Sequence, residues 1–345
     1  MLSHALEGRG IYLTKTMPEA SPDSALVQEY LEKPLTINGF KFDLRMYVFI
    51  SDLRCKDGAA PRVFLHHEGL TRFCTTAYEA PNADNMADNT LHLSNYSVNK
   101  WSSQFVKEEG VQETLAATAA ASAENGGLLP KAGEYKFGGG SDGSACGGGL
   151  VESELLSAVR TSRIGSKWTL TAFAEWADEH GHDVGALWRR CEDLVAKTVL
   201  CAAVTSMRDQ YNSAFGSSDG EQGQRCFELL GIDVMLDAKL KPYLLEVNMS
   251  PSAAMGTALD MIVKESVHQE ALSLAAQPPC PDSEFMAAST PEERAAVESE
   301  WRRRYEDCVL NGFKRILPVA DPATHKKAAV YQSILEYTKG GSSRR

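Results

Sequence analysis

Three oxygen-bearing side chains interrupt the most apolar part of the sequence. The stretch CFELLGIDVMLDAKLKPYLLEVNMSPS, residues 226–252, alternates apolar and polar residues as a β-strand does, yet Asp233, Glu246 and Asn248 lie within its apolar runs. Two carboxylates that lie close together repel each other unless a cation or a proton intervenes. Hard oxygen ligands of this kind suit magnesium, which takes its remaining ligands from water and nucleotide phosphates. If the three side chains converge, they predict a magnesium site.

The element that would bring these side chains together is an antiparallel hairpin. Successive side chains of a strand point to opposite faces, so Glu246 shares a face with the amide two residues later. If residues 238–241 form the hairpin loop, Asp237 pairs with Pro242, and Asp233 then lies directly opposite Glu246. A half-exposed hairpin with a polar outer face is the alternative interpretation.

A second strand pattern places charges on one face. In GFKFDLRMYVFI, residues 39–50, the side chains of Lys41, Asp43 and Arg45 share a face, which predicts a cationic wall for phosphates, with a solvated face as the alternative. The extended stretch VQEYLEKPL, residues 27–35, can offer backbone groups to an adenine edge. The sequence shows no Ser/His/Asp or Cys/His order, so we expect no covalent protein nucleophile.

Composition limits the function classes. The chain has 345 residues, 43% of them hydrophobic, and its formal net charge of −11 argues against a general nucleic-acid binder. Its eight cysteines show no CxxC spacing, which argues against zinc and favours a reducing compartment. No apolar run approaches the roughly 18 residues of a membrane span. Residues 301–345 hold ten Lys or Arg against four Asp or Glu, which indicates either a solvated tail or a contact for an acidic partner.

Periodicity predicts strands first and helices later. Strands are predicted over residues 10–15, 26–32, 41–50 and 61–74, and helices over 168–212, 259–276 and 290–309. The last helix begins with Thr290, Pro291 and Glu293, which predict a capping box. Ala-rich and Gly-rich sequence over residues 110–150 predicts a flexible insertion.

Six segments, taken in order, resemble the tubulin tyrosine ligase-like family, whose catalytic core has the ATP-grasp fold. They are GRGIYL, VQEYLEKPLTINGFKFDLRMYVFI, EGLTRF, LHLSNYSVNK, GSKWTL and CFELLGIDVMLDAKLKPYLLEVNMSPS. They cover most of residues 8–270, and NYSVNK, GSKW and EVNMSPS are similar to the polyglutamylase branch. The resemblance implies an α/β (α+β) fold, an ATP-grasp-type core of mainly antiparallel sheet with packed helices. Because the family's N-terminal domain and an earlier nucleotide-binding segment do not precede GRG here, we expect this core to be incomplete at its N-terminus.

On this resemblance the chain divides into five segments. They are a first part of the ATP-grasp core (1–109), a flexible low-complexity insertion (110–150), a second part of the core (151–275), a linker (276–289) and a helical basic C-terminal extension (290–345).

The resemblance also implies an activity and a set of site residues. The implied enzyme is an ATP-dependent ligase that adds glutamate to glutamate side chains of tubulin tails through an acylphosphate, with ATP and Mg²⁺ as cofactors. The implied adenine hinge consists of Gln28, Glu29, Tyr30 and Leu31. The implied nucleotide contacts are Lys41, Asp43, Ser94 and Asn95. The implied magnesium ligands are Asp233, Glu246 and Asn248. The implied catalytic contacts to the incoming amino acid are Arg72 and Lys167, with Tyr96 and Ser97 nearby.

The implied partners are tubulin or microtubules, through their acidic C-terminal tails, and free glutamate, with no nucleic acid and no membrane. The expected location is the cytoplasm and its cytoskeleton, the cilium or basal body included. A glycine ligase of the same family is one alternative. A truncated, non-catalytic protein that binds microtubules through its basic C-terminal segment is another.

Overall fold

An antiparallel sheet of seven strands forms the centre of the molecule. The computed structural model describes residues 11–16, 26–51, 61–106, 159–207, 210, 213, 226–278, 280–281, 288–319, 322–323 and 325–341. The strands are β1 (Thr36–Ile37), β2 (Phe40–Ser51), β3 (Arg62–Phe73), β4 (Lys167–Thr169), β5 (Phe227–Leu236), β6 (Pro242–Asn248) and β7 (Phe313–Leu317). Their order is β4-β3-β2-β5-β6, with β1 paired to β2 and β7 paired to β3. This architecture confirms the predicted fold class of antiparallel sheet with packed helices.

Seven α-helices surround the sheet in the described part of the chain. They are α1 (Asn89–His92), α2 (Tyr96–Asn99), α3 (Leu170–Glu179), α4 (Val184–Ala202), α5 (Ala258–Ala275), α6 (Pro291–Val309) and α7 (Ala328–Gly341). A short π-helical turn, Ala203–Met207, continues α4. None of the helices in the described ranges is long and apolar enough to span a membrane.

Helices cover both faces of the sheet, which explains why the centre of β2 is apolar on both sides. Phe42, Leu44 and Met46 point into a core that includes residues of α3, α4 and α7. Tyr47 and Phe49 point the other way, into a second core that includes residues of α5. Lys41, Asp43 and Arg45 precede this second pair on the same face of β2. The charged side chains therefore lie on the face of the sheet that α5 packs against.

The β5–β6 hairpin confirms the predicted pairing of Asp233 with Glu246. The prediction that Asp237 pairs with Pro242 is wrong, because Leu236 takes that place and Asp237 belongs to the loop. There the Asp237 carboxylate accepts hydrogen bonds from the backbone N–H groups of residues 239 and 241, at 2.8 and 2.9 Å. An aspartate that bonds its own following backbone forms a turn rather than a ladder.

A β-bulge reconciles the shifted loop with the confirmed pair. Val234 pairs with Leu244 while Asp233 pairs with Glu246, so one residue of β6 has no partner opposite it. A bulge of this kind inserts one residue into one strand and turns the following side chains by one position. The extra residue cancels the one-residue error at the loop, and the two carboxylates face each other as predicted.

The predicted helix over residues 168–212 is broken into a short strand and two helices. The strand β4 ends at Thr169, whose hydroxyl accepts from the N–H of Ala172 and caps α3. Gly181, with φ of 76°, ends that helix, and the carboxylate of Asp183 caps α4. Neither of these two caps was predicted from the sequence, and the strand is too short to show an alternating pattern. The capping box predicted at Thr290 is confirmed.

Two predicted strands are wrong, and three short strands, β1, β4 and β7, were missed. Residues 11–15 and 26–32, the described parts of the first two predictions, form no strand. The second of them lies beside β6, where the Gln28 side chain donates to the carbonyl of Leu245 at 3.1 Å in place of a backbone ladder. Of the three missed strands, β7 lies within the segment predicted as a helical extension and pairs with β3.

Buried ion pairs fix α6 to the sheet. Glu306, at the end of α6, accepts from Arg62 Nε of β3 at 2.6 Å and from Arg315 Nη1 of β7 at 2.9 Å.

The division of the chain into the five expected segments stays a prediction. The expected insertion over residues 110–150 lies outside the described residues.

Candidate active site

A row of charged side chains crosses five neighbouring strands on one face of the sheet. The register places Arg72 of β3 opposite both Asp43 of β2 and Lys167 of β4. Asp233 of β5 lies opposite both Arg45 of β2 and Glu246 of β6. Antiparallel neighbours on one face lie within side-chain reach, so the row forms one electrostatic unit. The residues in this row that are at most 7% exposed are Asp43, Arg72, Lys167 and Asp233.

Arg72 is the centre of this row. Its guanidinium donates to both carboxylate oxygens of Asp43, at 2.7 and 2.6 Å, and to Oδ2 of Asp233 at 2.7 Å. Burial favours the neutral guanidine, but the two carboxylates outweigh it and raise the pKa of Arg72. Ser94 completes the coordination of Asp43 by donating to its Oδ2 at 2.7 Å. Asp43 and Ser94, which are implied nucleotide contacts, and Arg72, an implied amino-acid contact, therefore belong to one hydrogen-bonded group.

Asp233 and Glu246 show the electrostatic signature of neighbouring carboxylates. Burial raises the pKa of Asp233, but Arg72 and Arg45 outweigh it and lower that pKa to about 2. Arg45 donates to both oxygens of this carboxylate. The pKa of Glu246 is raised, first by burial and then by its hydrogen bond and its charge repulsion with Asp233. Asn248 Nδ2 lies 3.2 Å from Oε1 of Glu246 and 3.5 Å from Oδ2 of Asp233.

This donor set fits a magnesium ion. Burial is the first cause of the raised pKa of Glu246 and repulsion from Asp233 is a further one, and a divalent cation between the two carboxylates would remove that repulsion. Two carboxylates and one amide supply the hard oxygen ligands that Mg²⁺ prefers, and Asn248 would contribute Oδ1. Since Asp233 already accepts from two guanidiniums, the ion would share this carboxylate with Arg45 and Arg72. No group of three or more His, Cys, Asp or Glu residues suited to a metal occurs in the described ranges.

Lys41 lies in a buried polar cluster beside this row. Its ammonium donates to the Tyr30 hydroxyl at 3.1 Å and to the His92 carbonyl at 2.9 Å, and it lies 4.3 Å from the centroid of the Tyr30 ring. The Tyr30 hydroxyl lies 2.8 Å from Nδ1 of His92. Burial lowers the pKa of Lys41 to about 8. A lysine with this pKa is charged at neutral pH, so it can bind a phosphate there.

The remaining implied hinge and nucleotide residues occupy the rim. Tyr30 is half-buried, while the side chains of Gln28 and Glu29 are exposed and Leu31 is partly buried. Asn95 occupies the N-cap position of α2, although its side chain makes no capping hydrogen bond. The structure thus brings Tyr30 to Lys41 and leaves the other hinge side chains at the surface.

The implied amino-acid contacts meet at α2. The buried ammonium of Lys167 lies 4.3 Å from the centroid of the Tyr96 ring, a cation–π distance. Tyr96 is 41% exposed, so one side of its ring is open to solvent. Ser97 follows it in the same helical turn and is half-buried. Lys167 and Tyr96 therefore come together, next to Arg72 across the β3–β4 pair.

Four further site residues were outside the predicted set. Arg45 was recognised only as part of the charged face of β2. His92 holds Tyr30 and Lys41, and its place in a polar cluster of the sequence was the available signal. Asp260 and Lys264 lie on α5 with exposures of 4% and 7%. Each follows a core residue of α5 by one position, but the helix pattern in the sequence does not reveal that this flank is buried.

Comparison with known proteins identifies the family. The sequence matches the tubulin-tyrosine ligase family over residues 3–125 and 154–284. The chain belongs to the tubulin-tyrosine ligase family. Tubulin polyglutamylase TTLL6 of Mus musculus is 35% identical over 269 residues, covering 78% of this chain and 25% of the relative. Tubulin polyglutamylase TTLL13 of Mus musculus is 30% identical over 362 residues, covering 98% of this chain and 37% of the relative.

A third relative comes from another organism. A probable beta-tubulin polyglutamylase of Tetrahymena thermophila is 31% identical over 336 residues, covering 91% of this chain and 23% of the relative. The chain therefore spans about a quarter to two fifths of the length of these relatives. The match confirms the family that the six sequence motifs indicated.

Proposed function

We propose that this chain carries the active site of an ATP-dependent ligase that adds glutamate to glutamate side chains of tubulin tails. The observation that carries the proposal is the pair of facing carboxylates, Asp233 and Glu246, at one end of the row of charged side chains. In a chain of this family, such a pair supports a magnesium–nucleotide site. Two of the relatives named above are tubulin polyglutamylases, and the third is named a probable beta-tubulin polyglutamylase. These names support tubulin as the target.

The proposed reaction has two steps. The γ-phosphoryl group of ATP moves to the γ-carboxylate of a glutamate in the tail, giving an acylphosphate and ADP. The amine of a free glutamate attacks the acyl carbon, a C–N bond forms, the C–O bond to phosphate breaks, and the amine loses a proton. The product is an isopeptide-linked glutamate and inorganic phosphate.

The side chains of the row fit the charge changes of these steps. Magnesium, held by Asp233, Glu246 and Asn248, would neutralise charge on the transferred phosphoryl group. Lys41, buried against the Tyr30 ring, offers an ammonium to the phosphates. Arg72 is held rigidly by carboxylates, so it presents its charge without reorganisation when the acylphosphate forms.

The charge balance favours glutamate over glycine as the incoming amino acid. The site contains five cations, Lys41, Arg45, Arg72, Lys167 and Lys264. It contains four carboxylates, Asp43, Asp233, Glu246 and Asp260. With all four carboxylates charged, the excess is one positive charge even before a metal binds. The side-chain carboxylate of glutamate can pair with this excess positive charge. Glycine has only a hydrogen at that position and gains no such interaction.

The structure gives less support to the alternative of a microtubule-binding protein without catalysis. Several cations of the basic C-terminal segment already have acidic partners within the chain. Arg303 pairs with Glu300 and Asp307, and Lys314 pairs with Glu192 at 2.6 Å. Ion pairs of this kind reduce the positive charge available to an acidic partner. We place the proposed enzyme with its substrate, on the cytoskeleton of the cytoplasm or of a cilium.

The first test measures binding and transfer in the same chain. Calorimetry with ATP and Mg²⁺ and incorporation of labelled glutamate into a tubulin-tail peptide are compared for the wild type and Glu246→Gln. We expect the substitution to abolish magnesium-dependent ATP binding and transfer, because it removes a hard anionic ligand. Glu265→Gln, an exposed change on α5, removes the same charge outside the site and leaves both unchanged. Full turnover by Glu246→Gln would refute the proposal.

A further inference from the structure

A buried cluster of three charges lies between the sheet and α5. Lys167 of β4 donates to Oδ2 of Asp260 at 2.6 Å. Lys264, one turn along α5, lies 3.3 Å from Oδ1 of the same carboxylate. The three side chains are 4–7% exposed. One carboxylate thus holds two ammonium groups, one from a strand and one from a helix.

Fold stability gives little reason for this cluster. Burying ions costs desolvation energy, and well-packed apolar residues of similar size stabilise a fold as well or better. The surrounding positions of α5, Leu259 and Val263, already supply an apolar contact to the sheet. A buried cluster with more cations than anions also repels itself, so its retention fits a role in which an anion completes it.

The position of the cluster connects it to both halves of the proposed site. Lys167 lies opposite Arg72 in the sheet register. Lys264 donates to the carbonyl of Ala254, in the loop that follows the β6 residues at the proposed metal site. Its pKa is lowered, first by burial and further by the nearby cations Lys167 and Arg45. The two ammonium groups therefore lie between Arg72 and the loop that follows the proposed metal site.

We propose that Asp260 is a positioning residue that holds Lys167 and Lys264 together, and that this pair of ammonium groups binds a carboxylate of the incoming glutamate. The inference rests on the proposed ligase function and adds Lys264 as a specificity-determining contact. Glutamate carries one carboxylate more than glycine. A pair of ammonium groups beside Arg72 gives that extra carboxylate a binding site, so loss of Lys264 should weaken glutamate selectively.

The test separates substrate binding from general damage. Lys264→Met keeps most of the length of the side chain and removes its charge, and Lys264→Arg keeps the charge. We expect Lys264→Met to raise the KM for glutamate by about ten- to a hundredfold, the factor that one charge-assisted hydrogen bond contributes. The KM for ATP should change by less than about twofold, and Lys264→Arg should recover most of the loss. Asp260→Asn should raise the KM for glutamate as well, because it releases both ammonium groups.

Calorimetry with free glutamate separates failure of this inference from failure of the proposed function. If the wild type transfers no glutamate to tails but binds it, and Lys264→Met does not bind it, the inference stands while the ligase proposal falls. Equal increases in the KM values for ATP and glutamate would show a purely structural role and overturn the inference. So would a KM for glutamate within about twofold of the wild type in Lys264→Met. Failure of the wild-type chain to bind free glutamate would overturn it too.

Discussion

Replacement of Arg72 by methionine gives the sharpest test of the electrostatic description. The guanidinium makes three hydrogen bonds of 2.6–2.7 Å, two to Asp43 and one to Asp233. Without it, Asp233 keeps Arg45, but Asp43 keeps only the hydroxyl of Ser94 among the partners described for it. Asp43 is 2% exposed, so the variant buries a carboxylate that has lost its hydrogen-bonded cation.

Breaking a buried pair by removing one partner costs about 3–5 kcal/mol. Since Asp43 loses its cation and Asp233 loses one of two, we expect about 4 kcal/mol for Arg72→Met. With a denaturant slope of about 3 kcal/mol per molar urea, the midpoint should fall by about 1.3 M. The double variant Arg72→Met with Asp43→Asn removes the uncompensated charge as well. The double variant should recover at least about 2 kcal/mol of the free energy of unfolding that Arg72→Met loses. A coupling energy of this size is typical of residues in contact.

Urea unfolding followed by circular dichroism measures these differences, with Arg163→Met as the matched control. Arg163 also forms a bidentate pair, with Glu179 at 2.5 and 2.7 Å, but its side chain is 29% exposed and that of Glu179 is 57% exposed. The control should therefore cost less than about 1 kcal/mol. Equal losses for the buried and the exposed arginine would show that the burial argument is wrong.

Three further predictions follow from individual contacts. Because burial lowers the pKa of Lys41 to about 8, ATP affinity should fall as pH rises through that value, and calorimetry across it should show no such fall for Lys41→Met. Burial raises the pKa of Glu270, but His66 and the backbone N–H groups around Gly312 outweigh it and lower that pKa to about 2. Glu270→Gln should therefore cost about 2 kcal/mol in urea unfolding at neutral pH, and the difference should vanish as pH falls from about 4.5 to about 2. Gly231→Ala places a Cβ 2.9 Å from Cβ of Pro251, so thermal unfolding should show a loss of about 1–3 kcal/mol; an unchanged midpoint would contradict the close packing.

The carboxylate pair shows how much of the site the sequence contained. Its partners were predicted from strand alternation together with an assumed hairpin loop over residues 238–241, both local properties of one short stretch. The loop register was not predictable to the residue, because Asp237 bonds its own turn and a bulge compensates one residue later. Both are details of hydrogen bonding that alternation cannot encode, and they happened to cancel.

Long-range partners were less accessible for a different reason. Asp43 and Arg72 are 29 residues apart, and Arg72 and Asp233 are 161 apart, so their contact depends on strand order rather than on any local pattern. Each residue alone has an ordinary interpretation as part of a solvated strand face. The family resemblance assigned these residues to one active site and so selected the interpretation in which the charges converge.

The pair on α5 marks the limit of that reasoning. Asp260 and Lys264 are spaced for an i,i+4 pair, which on an exposed helix contributes only a few tenths of a kcal/mol. The sequence alone gives that ordinary meaning, because the helix pattern does not reveal which flank contacts the sheet. Once Lys167 is found 2.6 Å from Asp260, the same spacing describes a carboxylate that holds ammonium groups from two elements. Only the tertiary contact converts a surface pattern into a substrate-binding hypothesis.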